Sequence, residues 1–223
     1  MMKIEFLGHS AFRIAAQKTV LIDPFLSNNP RSSVKPGDLT DIDMVLVTHG
    51  HGDHLGDAIE IAKNNDAVFV AMYELAHYAA SKGVKQFEPM NIGGTIDVGG
   101  IKITMTNATH SSDFEGGAGH SAGFVVNFGD HSVYHTGDTG VFYDMKLISE
   151  LYNPEVALLP IGSRFTMGVK EAIKAVELLD PQVVIPMHYS TYPAIEQDPQ
   201  ELKRAVGDST HVVILAPGES FTF

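Results

Sequence analysis

The sequence contains no cysteine among its 223 residues. This absence excludes a disulfide framework, a thiol nucleophile and a thiolate metal ligand. Any metal ion that the chain binds must therefore be held by nitrogen and oxygen atoms.

Long apolar segments are also missing. No run approaches the roughly 20 residues that are needed to span a bilayer. The segment Met1–Phe6 lacks a basic stretch followed by a long apolar one, so it is not expected to be a signal peptide. We expect a cytoplasmic protein that does not interact with a membrane.

Positive charge is scarce. The 15 lysines and arginines are outnumbered by 27 acidic residues, which gives a net charge of −12, and no Lys/Arg cluster interrupts this excess. Such a field repels phosphate backbones, so no nucleic-acid partner is expected. We expect a small-molecule substrate, and a homo-oligomer remains open.

Length and composition indicate an ordinary globular protein. Hydrophobic residues make up 44% of the chain and charged residues 19%. A chain of this length is expected to form one domain, spanning residues 1–223, with a sizeable core.

The stretch Thr48-His49-Gly50-His51-Gly52-Asp53-His54-Leu55 combines three imidazoles and one carboxylate in a loop with two glycines. The apolar run 44–47 before it predicts a buried strand. The segment 55–63 after it predicts a helix, with Asp53 or a neighbour as the N-cap. Buried imidazoles are costly without partners, and imidazole nitrogens with carboxylate oxygens are ligands for zinc, iron or manganese. The sequence therefore predicts a metal-binding turn.

Apolar periodicity predicts the remaining elements. Strands are predicted over 3–7, 11–15, 19–22, 44–47, 67–71, 95–98, 101–106, 124–128, 132–135, 155–159, 183–187 and 212–215. Helices are predicted over 55–63, 74–82, 169–179 and 200–206, with loops over 24–41 and 111–119. This pattern is typical of a mixed α/β (α+β) protein with a two-sheet core and helices outside.

Three later residues could complete the predicted metal site. His110, Asp138 and His188 each follow a predicted strand. The carboxyl ends of strands can converge on one edge of layered sheets, so residues distant in sequence can become neighbours. A catalytic zinc needs about three protein ligands and an open position, which one loop cannot supply for two ions.

A short motif also occurs twice. Gly8–Phe12 opens a predicted hairpin that leads to Asp23, and Gly119–Phe124 opens one that leads to Asp138. Similar units in the two halves would fit a duplicated layer arrangement. Two short matches also arise by coincidence, so both interpretations stay open.

The ordered set of donors resembles the metallo-β-lactamase superfamily over nearly the whole chain. The segments Gly8–Phe12, Ile22–Pro24 and Phe165–Gly168 are similar to a narrower group, the small metal-dependent hydrolases related to ascorbate-phosphate lactonase. The resemblance implies a four-layer αββα sandwich with a dinuclear site at the sheet edge. Carried over by position, one metal would be held by His49, His51 and His110, the second by Asp53, His54 and His188, and Asp138 would bridge them.

The same resemblance implies a metal-dependent hydrolase. Two divalent ions, zinc first and manganese, iron or nickel as alternatives, would activate a bridging hydroxide. The hydroxide would attack an ester, lactone, thioester, amide or phosphodiester, and the metals would stabilise the developing anion. Asp53 and Asp138 would be the catalytic carboxylates: Asp138 bridges, and Asp53 binds metal and orients the nucleophile or handles its proton.

The sequence supports three alternatives to the hydrolysis of a small molecule less well. A phosphodiesterase or nuclease of the same superfamily would need a basic path or an added domain, and neither charge nor length favours one. The redox di-iron relatives have Glu at the position of His51 and carry a flavin domain. An inactive metal-binding module is disfavoured by the complete ligand set.

Four further residues are candidates for supporting or substrate-binding roles: His9, Asp23, Arg164 and Tyr189. His9 could line the site or bond to a turn. Asp23 could fix a ligand imidazole from behind or mark an Asp-Pro turn. Arg164 and Tyr189, with Tyr192, flank the predicted site.

Arg164 could pair with an anionic substrate group or be a solvated loop residue. The narrower group often has an acidic residue at the position of Ser163 and a small polar one at Arg164. The chain departs from the group here, so the substrate cannot be carried over from it. The remaining histidines are expected to be structural: His77, His120, His131, His135 and His211.

Overall fold

A computed structural model describes residues 1–32 and 34–223. In chain order, the strands over these residues are β1 (Lys3–Gly8), β2 (Ala11–Ala15), β3 (Thr19–Ile22), β4 (Met44–Val47), β5 (Val68–Met72), β6 (Phe87–Met90), β7 (Thr95–Val98), β8 (Ile101–Asn107), β9 (Asp113–Phe114), β10 (Gly117–Ala118), β11 (Ala122–Asn127), β12 (Ser132–His135), β13 (Val156–Pro160), β14 (Val183–Met187), β15 (His211–Val212) and β16 (Ser220–Thr222). The helices are α1 (Gly52–Leu55), α2 (Ala58–Asn65), α3 (Tyr73–Ser81), α4 (Met145–Tyr152), α5 (Val169–Leu179) and α6 (Pro199–Val206), with 3₁₀ turns at Pro36–Asp38 and Pro193–Ile195.

The described chain divides into two compact units by its own contacts. The first unit contains Met1–Ile92, Ser111–Ser121 and Leu215–Phe223, and the second contains Gly93–His110 and Ala122–Ile214. Each unit has one seven-stranded sheet. The assignment of residues 1–223 to a single domain stays a prediction.

The sheet of the first unit has the strand order β16-β1-β2-β3-β4-β5-β6. Helices α2 and α3 pack on one face through an apolar cluster that includes Val45, Phe69, Ile61 and Leu75. Residues of the opposite face, such as Leu46, are fully buried as well. Burial on both faces explains why β4 is a continuous apolar run.

The sheet of the second unit has the order β7-β8-β11-β12-β13-β14-β15. Its helices α4, α5 and α6 pack on one face through a cluster that includes Tyr134, Ile148, Val176 and Leu202. The helical spacing of apolar residues in α5 places Ala172, Val176 and Leu179 against this cluster.

The two sheets share one succession of strand pairings. In the first sheet three antiparallel pairings, from β16 to β3, precede three parallel ones. In the second sheet three antiparallel pairings, from β7 to β12, likewise precede three parallel ones. This repeated topology agrees with the duplicated arrangement that the Gly-His-Ser-Ala motif suggested.

One predicted helix was wrong. The segment 55–63 is split, because α1 ends at Leu55 and α2 begins at Ala58. Gly56 has φ +37, and a Cβ there would lie 2.7 Å from Pro24 O. The helix therefore breaks at Gly56, where the backbone at Pro24 packs too closely for a side chain. Asp53 is also not an N-cap, since it lies in the first turn of α1, whose N-cap is His51.

Several short elements were not predicted. Strand β6 contains Pro89, which a strand tolerates at the edge of a sheet. Helix α4, the short β9–β10 hairpin within 111–119, and β16 were also missed. The strand predicted over 212–215 is limited to His211–Val212.

The described residues of segment 24–41 form a loop, as predicted, except for the 3₁₀ turn Pro36–Asp38. Ser33 within this segment lies outside the described residues. Across the described residues, none of the helices has the length and apolar character that a membrane crossing requires.

Candidate metal centre

The donors of the first unit follow strands that end at one edge of its sheet. Strand β2 is antiparallel to both β1 and β3, so β1, β3 and β4 run in the same direction. His9 follows β1, Asp23 follows β3, and the 48–54 loop follows β4. The carboxyl ends of strands are where such sheets bind ligands.

Asp23 is the buried hub of this edge. Its Oδ1 accepts the Thr48 N–H at 2.8 Å, and its Oδ2 accepts the Thr48 hydroxyl at 2.7 Å and lies 2.7 Å from His54 Nδ1. The side chain is fully buried, and its φ of +48 lies in the left-handed region. Strained backbone of this kind concentrates at functional sites. Through this contact Asp23 could fix the His54 imidazole from behind, and that role stays a prediction.

Hydrogen bonds to Asp23 define two imidazole tautomers. A carboxylate only accepts, so His54 Nδ1 carries a proton, and in the neutral ring His54 Nε2 keeps its lone pair. Because the Thr48 hydroxyl proton points to Asp23, its oxygen accepts from His49 Nδ1, 3.0 Å away. His49 therefore also keeps the Nε2 lone pair, as metal-ligating imidazoles do when their other nitrogen donates a proton.

His51 has the opposite tautomer. Its Nε2 lies 3.1 Å from Asp113 Oδ1 and so carries the proton. In the neutral ring its Nδ1 keeps the lone pair, and this atom lies 3.0 Å from His49 Nε2. Two lone pairs at this distance repel each other, and a shared cation removes the repulsion. Two nitrogens bound tetrahedrally to one zinc ion are about 3.3 Å apart, given Zn–N distances of about 2.0–2.1 Å, so this pair fits a metal ion.

The β9–β10 hairpin packs directly against the 48–54 loop, which we call the His-rich loop. The Gly50 N–H donates to Ser112 Oγ at 3.1 Å. A Cβ on Gly50 would lie 2.6 Å from Asp113 O and 2.8 Å from the Phe114 ring. Glycine is needed at this position because any side chain would push away the hairpin that carries the partner of His51.

Asp53 and His9 form the exposed end of the same cluster. Asp53 Oδ2 lies 3.1 Å from His9 Nε2, and the Asp53 side chain is 35% exposed whereas that of His9 is buried. The ligand atoms of His9, Asp53 and His54 lie within 4.8 Å of one another. Asp53 is therefore the donor of this group that water reaches most easily.

The second unit gathers its donors at the carboxyl ends of β8, β12 and β14, which run in the same direction. Asp138 Oδ2 lies 3.0 Å from His188 Nε2 and 3.6 Å from His110 Nε2. Asp138 is 2% exposed. A buried carboxylate oxygen close to two imidazole nitrogens is a donor set that fits a divalent ion.

Hydrogen bonds between loops hold these donors. Thr139 Oγ1, fully buried, accepts the Thr109 N–H at 2.9 Å, and the Gly140 N–H donates to Thr109 O at 3.3 Å. These bonds join the residue after Asp138 to the residue before His110. His135 has a different role, since its Nδ1 accepts the Gly137 N–H at 3.1 Å and shapes the turn.

His188 is held by close backbone packing. Its φ of +53 is unusual for a residue with a side chain. A Cβ on Gly162 would collide with His188 O, so the neighbouring segment must have glycine there. The Ile161 N–H donates to Met187 O at 3.0 Å and keeps the two segments together.

The two flanking candidates contact residues outside the donor set. Tyr189 is partly buried and packs against the helix-side cluster of the second unit. Arg164 is exposed, with its guanidinium 5.6 Å from the centre of the Phe165 ring.

Sequence reasoning missed Thr48, Asp113 and Thr139. All three are short polar residues within three positions of a predicted donor, and this proximity is the only pattern that could have suggested them.

Comparison with known proteins identifies the class. Residues 18–189 match the family model of the β-lactamase superfamily domain. The structure also superimposes on Igni18, described as a novel metallo hydrolase from the hyperthermophilic archaeon Ignicoccus hospitalis, with a TM-score of 0.90 and 39% identity over 100% of this chain and 99% of that one. The fold is therefore the metallo-β-lactamase fold, as predicted.

Curated relatives are closer in sequence. A UPF0173 metal-dependent hydrolase of Methanopyrus kandleri is 59% identical over 99% of both chains. One from Methanosarcina mazei is 55% identical over 98% of this chain and 97% of its own. The chain therefore belongs to the β-lactamase superfamily and, within it, to the UPF0173 family of metal-dependent hydrolases. The predictions of the superfamily and of the enzyme class are confirmed.

Proposed function

We propose that the chain hydrolyses a small molecule with the aid of two divalent ions, zinc first. His49, His51 and His110 would hold one ion, Asp53, His54 and His188 the other, and Asp138 would bridge them. The scissile group would be an ester, lactone, thioester, amide or phosphodiester. A cytoplasmic location is part of the same proposal.

The observation that supports this proposal most strongly is the environment of Asp138. One buried carboxylate oxygen lies near two imidazoles, His188 at 3.0 Å and His110 at 3.6 Å, which the proposal assigns to different ions. In the first unit, His49 Nε2 and His51 Nδ1 lie 3.0 Å apart. Each unit thus offers nitrogen and oxygen donors of the kind that divalent ions prefer.

When bound, the two ions would lower the pKa of a water molecule and polarise the oxygen of the scissile group. The protein's own residues would do the rest. Asp53, partly exposed, would orient the attacking water and accept its proton at Oδ2. His9 would hold that oxygen in place, since its Nε2 lies 3.1 Å away. Asp23 would keep the His49 and His54 lone pairs directed to the ions.

A phosphodiesterase or nuclease of the same superfamily is less well supported. The net charge of −12 opposes the approach of a polyanion. A small phosphodiester remains within the proposed substrate range, because its single charge needs only a local cation.

The experiment is a substrate panel with the zinc-loaded or manganese-loaded protein, covering lactones, thioesters, β-lactams and phosphodiesters. We expect turnover of at least one class. Asp138→Ala is the matched variant, and its kcat/KM should fall by at least about 10³-fold, because both ions lose a ligand. Circular dichroism should show that the metal-free variant keeps its fold.

Two results would count against the proposal. One is the absence of turnover across the whole panel by fully metal-loaded protein. The other is an Asp138→Ala variant that remains as active as the wild type.

A further inference from the structure

The segment 162–168, which we name the tip loop, follows β13 at the same sheet edge as His188 and Asp138. Both ends of the tip loop are fixed to donor-bearing segments. The Ile161 N–H donates to Met187 O at 3.0 Å, directly before His188. The Met167 N–H donates to Thr139 O at 2.9 Å, directly after Asp138. The position of the tip loop is therefore tied to two of the proposed ligands.

The tip loop is also closed on itself. The Ser163 N–H donates to Met167 O at 3.1 Å, and the Arg164 N–H donates to Gly162 O at 2.9 Å. Thr166 and Met167 are buried. At the exit, the Gly168 N–H donates to a carboxylate oxygen of Glu171 at 3.2 Å. These bonds satisfy the backbone within a few residues, so the loop holds one shape.

This closed loop presents two large side chains to solvent. Phe165 is 57% exposed, and the Arg164 guanidinium carbon lies 5.6 Å from the ring centre, within cation–π range. A phenylalanine exposed to this extent leaves much of its apolar surface in water, which is unfavourable. A guanidinium beside an apolar ring offers an amphipathic molecule one charged and one apolar contact.

Unlike Arg13 and Arg204, Arg164 has no carboxylate partner within the described part of the chain. Arg13 pairs with Glu5, and Arg204 pairs with Asp198. Over residues 1–32 and 34–223, no carboxylate lies within ion-pair distance of the Arg164 guanidinium. In a chain of net charge −12, the average field repels an anionic ligand, so a local cation is needed to attract one.

We propose that Arg164 and Phe165 form a subsite for an oxyanion of the substrate, a carboxylate or a phosphate. The guanidinium binds the oxyanion through paired N–H donors, and the Phe165 ring packs against the adjoining apolar part. The substrate class is then a small organic anion. This inference rests on the proposed function for the chemistry at the metal donors, but binding to the tip loop can be measured without it.

The test is an NMR titration of the ¹⁵N-labelled full chain, in metal-free and in zinc-loaded form. The probes are phenyl phosphate, phenylacetate and the neutral 2-phenylethanol. We expect the anions to shift the amide resonances of residues 163–167 saturably and the neutral probe to shift them weakly. Arg164→Gln should raise the Kd of an anionic probe about tenfold, and Phe165→Leu should raise it less.

The matched control is Arg204→Gln, which removes a guanidinium that already has its own carboxylate and should leave the Kd unchanged. The subsite is overturned if no probe shifts residues 163–167, if Arg164→Gln and Arg204→Gln behave alike, or if anions bind only the zinc-loaded form independently of Arg164. Dependence on Arg164 in the metal-free form supports the subsite even if the protein fails to hydrolyse any substrate. The subsite and the proposed hydrolysis can therefore be refuted independently of each other.

Discussion

The two units supply their donors in different ways. In the first unit, four donors lie within the six residues from His49 to His54, and side-chain bonds from Asp23 and Thr48 set the imidazole tautomers. In the second unit, His110, Asp138 and His188 come from three separate loops that backbone and Thr139 hydrogen bonds hold together. The orientation of the first set therefore depends on one buried carboxylate, and that of the second on strand order and loop packing.

The largest effect is expected from Asp23→Asn. Asp23 accepts three hydrogen bonds through its two carboxylate oxygens. An asparagine has one acceptor oxygen, and its NH₂ group would point at groups that themselves donate hydrogen bonds. We expect the free energy of unfolding of the metal-free protein to fall by about 3 kcal/mol. Zinc affinity should fall about 10- to 100-fold, because His49 and His54 lose their fixed tautomers. Chemical denaturation and competition with a chelator measure the two quantities.

A smaller effect is expected from Thr139→Val, which keeps the shape and removes the hydroxyl. The Thr109 N–H would lose its acceptor, at a cost of about 1–3 kcal/mol, and His110 and Asp138 would be less firmly held. Zinc affinity should fall about tenfold. Thr139→Ser keeps the hydroxyl and should retain most of the affinity. If serine and valine give equal losses, the hydrogen bond does not position the donors.

The smallest effect is expected from Asp43→Asn, at the opposite end of β4 from the His-rich loop. Burial alone would raise the pKa of the Asp43 carboxyl, but hydrogen bonds from Lys18 Nζ and the Thr19 N–H outweigh it and lower the pKa below its usual value. The folded protein therefore binds fewer protons here than the unfolded chain. This stabilisation is present above about pH 4 and is lost as the pH falls through the folded pKa.

Because Asp43 and Lys18 are both partly exposed, the loss in the asparagine variant should be below about 1 kcal/mol at pH 7. The difference between wild type and variant should shrink on acidification. Thermal unfolding at pH 7 and pH 3 measures it, and zinc affinity should not change. A loss of affinity comparable to that of Asp23→Asn would mean that the buried and exposed carboxylates around β4 are not functionally distinct.

The difference between the units also explains what the sequence could reveal. The 48–55 loop is recognisable alone because its donors are contiguous. His110, Asp138 and His188 became recognisable only as an ordered set that resembles a known superfamily. Strand periodicity predicted most of both sheets, because strands buried on both faces are continuous apolar runs.

Other features could not be predicted from local patterns. The break at Gly56 depends on the close passage of Pro24, which is a tertiary contact. Strand β6 contains Pro89, which weakens its strand pattern, whereas α4 has apolar residues at helical spacing and could have been recognised. The partners Thr48, Asp113 and Thr139 depend on which hydrogen bonds the fold allows, and no spacing rule encodes that.

The central proposal is that the protein binds two divalent ions and that Asp138 is a ligand of both. Native mass spectrometry of the zinc-loaded protein tests it most directly, with Asp138→Ala measured beside the wild type. The account predicts two zinc ions per wild-type chain and a loss of zinc from the variant, since Asp138 would serve both ions. Saturation of the wild type at one ion, or two ions retained by the variant with unchanged affinity, would contradict it.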